Sequence, residues 1–396
     1  MTRPLVKSIS SQHTTAATDR AVLFDWRSAA HDMAGDWSIR RQTLRGGVSE
    51  GVDVIELCNG PLTVSVLPTR GMGIWKADCR AIPVGWNSPV KQPVHPQFVD
   101  QAARNGLGWL DGFNELLCRC GLSYVGPPGL DEDAASPIES QITLHGRIAN
   151  IPAHSVEVGI DPAEQTLWVR GVCDETCLFG PQLRLTSKIS LKVGETSIVV
   201  HDEIENLGSK ATDLSLLYHI NVGRPFLEAG AKLALPFLEM APRDARATEN
   251  IETWDTYLDP TPGYAEQAYL FDMKIEDQQQ SLALLHNASG DRGFSVAFNP
   301  RQLPCFTQWK CTQPEADGYV TGLEPGTNYP NFKSFERKQG RIPQLSSGEK
   351  YTVDLTLGIH DTSESVTSVL ERVASLQSPI ESNVRSEPVS PFVDTE

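Results

Sequence analysis

The stretch TSIVVHDEIENLGSKATDLSLLYHI, residues 196–220, decides the fold class of this chain. Apolar and polar residues alternate through its first part, and the polar break Gly208-Ser209-Lys210 leads into a second apolar run. Alternation is typical of a half-buried strand, because successive side chains point to opposite faces of a sheet. The pattern therefore predicts two antiparallel strands joined by a short turn, with His219 near the end of the second strand.

The same kind of pattern extends from Trp37 to His360, where short apolar runs are separated by Gly, Pro, Asn and Asp. Helical periodicity is confined to Glu364–Leu376 and, more weakly, to Phe98–Arg104. The sequence therefore predicts an all-β fold, an antiparallel β-sandwich with few short helices. The clearest predicted strands are Val52–Leu57, Leu62–Leu67, Gln182–Val193, Thr196–Ile204, Leu214–Tyr218, Leu282–Leu285 and Tyr351–Ile359.

The domain organisation follows from where this strand-forming pattern begins and ends. Residues 36–360 are predicted to form one domain, because no internal repeat and no Pro-rich or Gly-rich linker divides them. Residues 1–35 would form an N-terminal arm, and residues 361–396 a C-terminal helix and tail. The Ser/Thr-rich start and the tail beyond about Gln377 lack a core pattern, so we expect both to be flexible.

Composition narrows the possible partners. The chain has 34 Lys and Arg against 50 Asp and Glu, a net charge of -16 that disfavours nucleic acid and anionic membrane surfaces. The start lacks the apolar region of a secretory signal, and no apolar run is long enough to span a bilayer, which favours a cytoplasmic location. The eight cysteines include no CxxC, so free thiols are expected and a metal site is not.

Two polar residues stand at strand ends. In LLYHINVGRPFLEAGAKLALP, residues 216–236, an apolar strand carries His219 and then breaks at Gly223 and Pro225, which would direct the imidazole into a cleft. In GYVTGLEPGTNYPNF, residues 318–332, Glu324 ends a strand between small residues and a turn, where a partly exposed carboxylate would stay ionised. A hydrogen-bonded structural histidine and a solvated glutamate are the alternatives.

Taken together, these elements resemble the aldose 1-epimerase (galactose mutarotase) superfamily, whose catalytic His and Glu lie on corresponding strands. The similarity is closer to its DUF4432 branch and covers most of the body. The segments that carry it are LPTRGMGIW at 67–75, GFNELLCRCGL at 112–122, LHGRIANIPA at 144–153, PRDARA at 242–247, QWK at 308–310 and GLEPGTNYP at 322–330.

The resemblance implies a galactose-mutarotase-like supersandwich and an isomerase that interconverts sugar anomers. His219 would be the general acid that protonates the ring oxygen, and Glu324 the general base that takes the proton of the anomeric hydroxyl. Neither role needs a cofactor or a metal. We therefore expect the partner to be a monosaccharide or modified sugar.

The resemblance also implies that further residues bind and position the sugar. The alternative for these residues is a structural role, in a surface ion pair or in shaping a turn. An aromatic side chain beside hydrogen-bonding groups suits a pyranose, which has apolar faces and polar edges. The predicted substrate-binding residues are His145, Arg147, Arg70, Gln308, Trp309, Lys310 and Asn114, with Glu115 and Arg119 in the same polar cluster as Asn114.

Departures from the superfamily leave the sugar open. The Asn that usually precedes the catalytic His is Tyr218 here, and later aromatic positions are Ile220 and Val222. A non-catalytic or regulatory sugar-binding protein, or another sugar isomerase or lyase in the same cleft, are the alternatives. A phosphorylated sugar also remains open, because several basic residues could converge on the cleft. Those residues are Arg70, Arg119, Arg147 and Lys310.

Overall fold

A computed structural model describes residues 4–9, 20–25, 33–274, 280–379 and 381–395. Within these ranges strands are the main regular structure, as the alternating apolar and polar residues predict. In chain order they are β1 (Leu5–Ser8), β2 (Arg20–Asp25), β3 (Ser38–Thr43), β4 (Asp53–Cys58), β5 (Leu62–Leu67), β6 (Gly73–Cys79), β7 (Ile82–Val84), β8 (Leu117–Leu122), β9 (Gly129–Leu130), β10 (Gln141–Ile142), β11 (Ser155–Asp161), β12 (Thr166–Thr176), β13 (Gln182–Lys192), β14 (Ser197–Asn206), β15 (Thr212–Asp213), β16 (Ser215–Val222), β17 (Lys232–Ala234), β18 (Phe237–Pro242), β19 (Gln267–Met273), β20 (Ser281–His286), β21 (Gly293–Phe298), β22 (Cys305–Cys311), β23 (Val320–Gly326), β24 (Gln344–Leu345), β25 (Lys350–His360) and β26 (Asn383–Val384).

The helices of the described ranges are short except for the last. The α-helices are α1 (Ala103–Gly106), α2 (Pro137–Ser140), α3 (Ala245–Thr248), α4 (Lys333–Lys338) and α5 (Ser363–Gln377). Single 3₁₀ turns lie at Gly47–Ser49, Pro96–Phe98, Gly108–Gly112, Ile148–Asn150, Ile251–Thr253 and Glu315–Asp317. None of these helices is long and apolar enough to cross a membrane.

Two large sheets form the sandwich. The described residues place nine strands in one sheet, in the order β1-β11-β12-β13-β14-β25-β21-β20-β17. They place thirteen in the other, in the order β2-β3-β4-β5-β6-β8-β16-β23-β22-β19-β18-β26, with β7 against β6. One large apolar cluster joins the two inner faces, so the sheets share a common core. This is the all-β antiparallel sandwich that the sequence predicts.

Most of the predicted elements are confirmed, with boundaries shifted by a few residues. The helix predicted over Glu364–Leu376 is α5, whose first turn is closed by a capping box between Thr362 and Ser365. The weaker prediction over Phe98–Arg104 is wrong as a continuous helix. That segment splits into a 3₁₀ turn and α1, because Val99 is extended with φ of -105° and ψ of 105°. Arg104, inside α1, also departs from helical geometry with a left-handed φ of 51°.

The hairpin predicted within residues 196–220 is also wrong. Both strands exist, but β14 pairs with β13 and β25 in the nine-stranded sheet, whereas β16 pairs with β8 and β23 in the other sheet. The connection crosses between the sheets, and β15 within it pairs with β24. Alternation indicates that two strands are present but not which strands pair with them.

The described parts of the arm and the tail lie against the sandwich. β1 pairs with β11 and β2 pairs with β3, so the arm adds an outer strand to each sheet. In the tail, the side chains of Phe392 and Val393 are buried beside Tyr329. The predicted domain boundaries remain a prediction, and residues 1–3, 10–19 and 26–32 of the arm lie outside the described residues.

Candidate active site in the thirteen-stranded sheet

A row of four side chains crosses the outer face of the thirteen-stranded sheet. Cys118 of β8 is opposite His219 of β16, and Thr307 of β22 is opposite Glu324 of β23. Because Ile220 is opposite Leu323, the same register sets His219 opposite Glu324. Residues directly opposite each other share a face of the sheet, so all four side chains point the same way.

His219 and Glu324 form the centre of this row. The distance between His219 Nε2 and Glu324 Oε1 is 3.3 Å, and the two residues are only 5% and 3% exposed. A Cβ on Gly322 would lie 2.3 Å from Glu324 Oε1, so the glycine provides the space that the carboxyl group occupies. Both residues lie inside their strands, which corrects the predicted strand-end positions.

Asn221 fixes the tautomer of His219. Its amide nitrogen donates to the backbone carbonyls of Glu115 and His219, both at 3.0 Å. Its amide oxygen therefore faces the imidazole, 2.7 Å from Nδ1, and must accept a hydrogen from that nitrogen. Nδ1 carries the permanent proton, and Nε2 is left free to gain or lose one on the side of Glu324.

Burial shifts the pKa values of the two residues in opposite directions. It raises the pKa of Glu324 well above its usual range and lowers the pKa of His219 well below its usual range. The neutral pair, with the proton on Glu324 and none on Nε2, is therefore favoured when nothing else contacts it. This corrects the prediction of a partly exposed, ionised Glu324.

The pair lies at the floor of a cavity of about 540 Å³. Aromatic rings surround the imidazole of His219, with ring centroids at 4.8 Å for Phe113, 5.4 Å for Trp309 and 6.1 Å for Trp109. Flat apolar rings next to polar groups suit the faces of a sugar ring. Of the predicted binding residues, Trp309 and His145 line this cavity.

His145 lies above β8 in a left-handed backbone conformation, with φ of 56°. Its backbone is held there, since Gly121 N donates to His145 O and His145 N donates to Gly126 O. Its ring centroid is 5.7 Å from that of His219, and burial lowers the pKa of His145 to about 4. A neutral imidazole therefore faces the cavity at neutral pH.

Several buried polar atoms of the cavity have no hydrogen-bond partner among the described residues. They belong to Thr307 (Oγ1), His145 (Nδ1) and Trp109 (Nε1). Leaving a buried polar group unpaired costs roughly 1–3 kcal/mol, so such a cluster indicates a surface prepared for a polar ligand. A hydroxyl group can both donate and accept a hydrogen bond, so this mixture of donors and acceptors suits a ligand with hydroxyl groups.

A charged pair lies on the far side of Glu324. Arg243 Nη2 donates to Glu266 Oε1 at 3.1 Å, and Arg243 Nε donates to Asp244 Oδ2 at 3.0 Å. Glu266 also accepts a hydrogen bond of 2.6 Å from Trp309 Nε1. The segment PRDARA contains this arginine, but its side chain could not be placed in the cleft without knowing that β19 adjoins β22 and β18 adjoins β19.

Three other predicted ligands lie outside this cavity. Arg70 is buried in an ion pair with Glu115, with 2.5 Å between Nε and Oε1, and also donates to Asn150. The Asn114 side chain donates to the carbonyl of Val90. Arg147 is exposed and lines a separate, smaller cavity. Arg70 and Asn114 therefore contribute to the support of the site.

The three residues of the predicted Gln308-Trp309-Lys310 element do not share one face of the sheet, because side chains alternate along a strand. Trp309 points into the cavity, whereas Gln308 and Lys310 point to the other face of the sheet. Gln308 donates to Tyr257, and the Lys310 ammonium donates to the backbone carbonyls of Thr253, Trp254 and Thr256. These two residues hold a loop against the sheet.

Arg119 is buried between the sheets. Its guanidinium donates to both carboxylate oxygens of Asp202, at 2.6 and 3.1 Å, and to Ser187. Of the four basic residues that could have bound a phosphate, none lines the cavity with His219 and Glu324. In the part of the chain that the structure describes, no group of three or more His, Cys, Asp or Glu side chains could hold a metal ion.

The fold is that of galactose mutarotase-like proteins, and similar solved structures agree. A galactose mutarotase-like protein from Clostridium acetobutylicum matches with a TM-score of 0.58 and 17% identity, over 82% of this chain and 98% of its own. The Slr1438 protein from Synechocystis sp. PCC 6803 matches with a TM-score of 0.51 and 15% identity, over 76% of this chain and 92% of its own. At such identities the similarity concerns the fold alone.

The chain belongs to the family described as "Domain of unknown function (DUF4432)", whose profile matches residues 49–359. A much closer structure is that of a protein from Klebsiella pneumoniae subsp. pneumoniae MGH 78578, described as a "putative aldose 1-epimerase". It is 32% identical with a TM-score of 0.91, and the match covers 98% of this chain and all of that one. No curated protein matches the chain.

Proposed function

We propose that this protein is a sugar-anomer isomerase of the aldose 1-epimerase type, with His219 and Glu324 as its acid and base. The observation that carries the proposal is the 3.3 Å approach of His219 Nε2 to Glu324 Oε1 at the floor of an aromatic-walled cavity. Anomer interconversion needs two proton-transferring groups that reach adjacent oxygens of one small molecule. A buried, opposed pair meets that requirement.

The proton balance of the reaction suits this pair. Glu324 takes the proton of the anomeric hydroxyl while His219 Nε2 gives one to the ring oxygen, so that the C1–O5 bond breaks and the aldehyde forms. Rotation about the C1–C2 bond presents the other face of the aldehyde. Reclosure then returns both protons, His219 taking one back and Glu324 giving one up, so no cofactor or external proton is needed.

The burial of the pair fits the ring-opened state in particular. After ring opening Glu324 is protonated and His219 is neutral at Nε2, which is the form that burial favours. The starting form, with a carboxylate and an imidazolium, is obtained by moving one proton between the two residues. Sugar hydroxyls that donate to the Glu324 carboxylate stabilise that starting form when substrate binds.

Asn221 is a positioning residue in this scheme. By accepting from Nδ1 at 2.7 Å it holds the ring so that Nε2, and not Nδ1, faces Glu324 and the cavity. Its own orientation is secured by two backbone carbonyls, so the alignment is set before substrate arrives. The role parallels that of other histidine-orienting groups in acid/base catalysis.

The proposal is tested by measuring binding and turnover separately. Calorimetry across aldoses, uronates, deoxysugars and hexose phosphates identifies a ligand, and NMR exchange then measures its anomer interconversion against the uncatalysed rate. Acceleration of interconversion for a bound sugar supports the proposal. Tight binding without acceleration for any sugar would instead favour a sugar-binding protein, and the absence of binding to every sugar would overturn both functions.

A further inference from the structure

We propose that the preferred substrate is an uncharged sugar with an apolar group on C5, as in a 6-deoxyhexose, and that this group lies against an apolar wall above β8. The inference rests on the proposed function, because the assignment of the ring oxygen to His219 sets the orientation of the sugar. It goes beyond that function by naming the substrate class and the residues that select it.

The strand order determines which side of the sugar faces which wall. Across the sheet the sequence is β8, then β16 with His219, β23 with Glu324 and β22 with Thr307. The ring oxygen faces His219 and the anomeric hydroxyl faces Glu324. Carbon C5, which adjoins the ring oxygen, therefore lies toward β8, whereas C2, which adjoins the anomeric carbon, lies toward Thr307.

The β8 side of the cavity combines the imidazole of His145 and the indole of Trp109 with an apolar rim. Leu107, Leu110 and Leu144 line the cavity there, and Leu144 is held in place by a backbone bond of 2.8 Å from its N–H to Gly106 O. Leu107 and Leu110 are 37% and 46% exposed, so they present apolar surface at the rim. A methyl group on C5 would cover them, whereas a hydroxymethyl group would lose hydration there.

Polar contacts are also available on the opposite side. Thr307 is 2% exposed and its hydroxyl has no hydrogen-bond partner in the described part of the chain, so it can bind the C2 hydroxyl. Arg243, the cavity-lining arginine, is on this side and already paired with Asp244 and Glu266. A phosphate or carboxylate on C6 would therefore face leucines and find no unpaired cation among the described lining residues.

The first test compares each hexose with its 6-deoxy counterpart of the same configuration. The pairs are D-glucose with 6-deoxy-D-glucose, D-galactose with 6-deoxy-D-galactose and L-mannose with 6-deoxy-L-mannose. For the configuration that turns over best, kcat/KM from NMR exchange should be roughly tenfold higher for the 6-deoxy sugar, the usual effect of one polar or apolar group in an apolar pocket. Equal values, or a preference for the hexose, would overturn the inference.

The second test assigns the preference to the wall. Leu107→Ser should reduce the 6-deoxy preference, measured as the ratio of kcat/KM for the 6-deoxy sugar to that for the plain hexose, toward one. Leu207→Ser is the matched control, because Leu207 is also 37% exposed but lies outside the cavity, and it should keep the parent preference. An unchanged preference in Leu107→Ser, or an equal loss in both variants, counts against the inference.

A third test examines the C2 side. Thr307→Val preserves shape but removes the hydroxyl, so it should cost about tenfold in kcat/KM for the parent sugar and little for its 2-deoxy analogue. An equal loss for both sugars would contradict the orientation. If the parent interconverts hexoses but shows neither preference, the proposed function stands and the inference fails. If no sugar is interconverted, the proposed function itself fails.

Discussion

His219 Nε2 lies 3.3 Å from Glu324 Oε1 because the two residues are opposite each other on adjacent antiparallel strands, between the registered pairs Leu217–Gly326 and Ile220–Leu323. The separation is therefore set by backbone hydrogen bonds on both sides and not by flexible loops. A site built on paired strands holds its geometry more precisely than one built on loops. The chemistry then depends on the proton that the pair shares.

Removing either member of the pair should abolish turnover without abolishing binding. Glu324→Gln and His219→Asn should each lower kcat for anomer interconversion by at least ~10²-fold, the usual contribution of a positioned acid or base. Sugar affinity, measured by calorimetry, should change much less, because the aromatic walls and the other polar groups remain. Turnover is measured by NMR exchange.

The control for these variants is Glu315→Gln. Glu315 is a half-buried glutamate paired with Arg224 outside the cavity, so its variant should retain the activity of the parent. Parent-like turnover in both Glu324→Gln and His219→Asn would refute the acid/base assignment, even with the fold intact.

The acid limb of the dependence of kcat/KM on pH should lie well below the ordinary histidine pKa of about 6.5. The active pair holds one exchangeable proton. It gains a second only well below pH 6.5, because burial lowers the pKa of His219. The alkaline limb should lie well above pH 4.5, because burial raises the pKa of Glu324.

Asn221→Asp should move the acid limb of that profile. A carboxylate at 2.7 Å from Nδ1 favours the imidazolium and raises the pKa of His219, so activity should begin to fall about one pH unit or more higher than in the parent. Asn299→Asp is the control, since Asn299 forms a turn outside the cavity and its aspartate can still accept from Arg301 N. If the acid limb of Asn221→Asp lies at the same pH as that of the parent, Asn221 does not position His219.

The sequence predicts the strand content of the fold well, because alternation indicates strands wherever one face is buried. The resemblance to the aldose 1-epimerase superfamily singles out His219 and Glu324, and their catalytic roles stay a prediction. Burial of Glu324 was not predictable, because it depends on strands β22 and β16 on either side and on the space at Gly322. The same alternation could have separated Trp309 from Gln308 and Lys310, since neighbouring residues of one strand face opposite sides.

Thr307 and Trp109 show a different limit. Neither stands in a recognisable motif, and each acquires a role only through partners that are distant in sequence. Thr307 matters because it is opposite Glu324, and Trp109 because its ring is 5.0 Å from that of His145. Such juxtapositions come from sheet order, which the pattern of a single strand does not contain.

Arg70 should act on stability and not on sugar affinity. Arg70→Gln leaves Glu115 buried without its ion pair, which should lower the free energy of unfolding by about 3–5 kcal/mol. Arg147→Gln, at an exposed position, should change it by no more than about 0.5 kcal/mol. Denaturant titration measures both. If Arg70→Gln unfolds like the parent but loses sugar affinity, Arg70 is a ligand-binding residue after all.

Gly322→Ala should displace the base while leaving the fold intact. Gly322 does not have a left-handed φ, so alanine is compatible with the backbone there, but its Cβ would lie 2.3 Å from Glu324 Oε1. The carboxyl group must therefore rotate away from His219, and misplacement by about 1 Å can cost on the order of 10²-fold in rate. We expect kcat to fall by that amount with the unfolding midpoint nearly unchanged. In the double variant Gly322→Ala/Glu324→Gln the two losses should not add, because the carboxyl group that alanine displaces is already inactive. Additive losses, or full activity in Gly322→Ala, would show that the position of the Glu324 carboxyl group does not control the reaction.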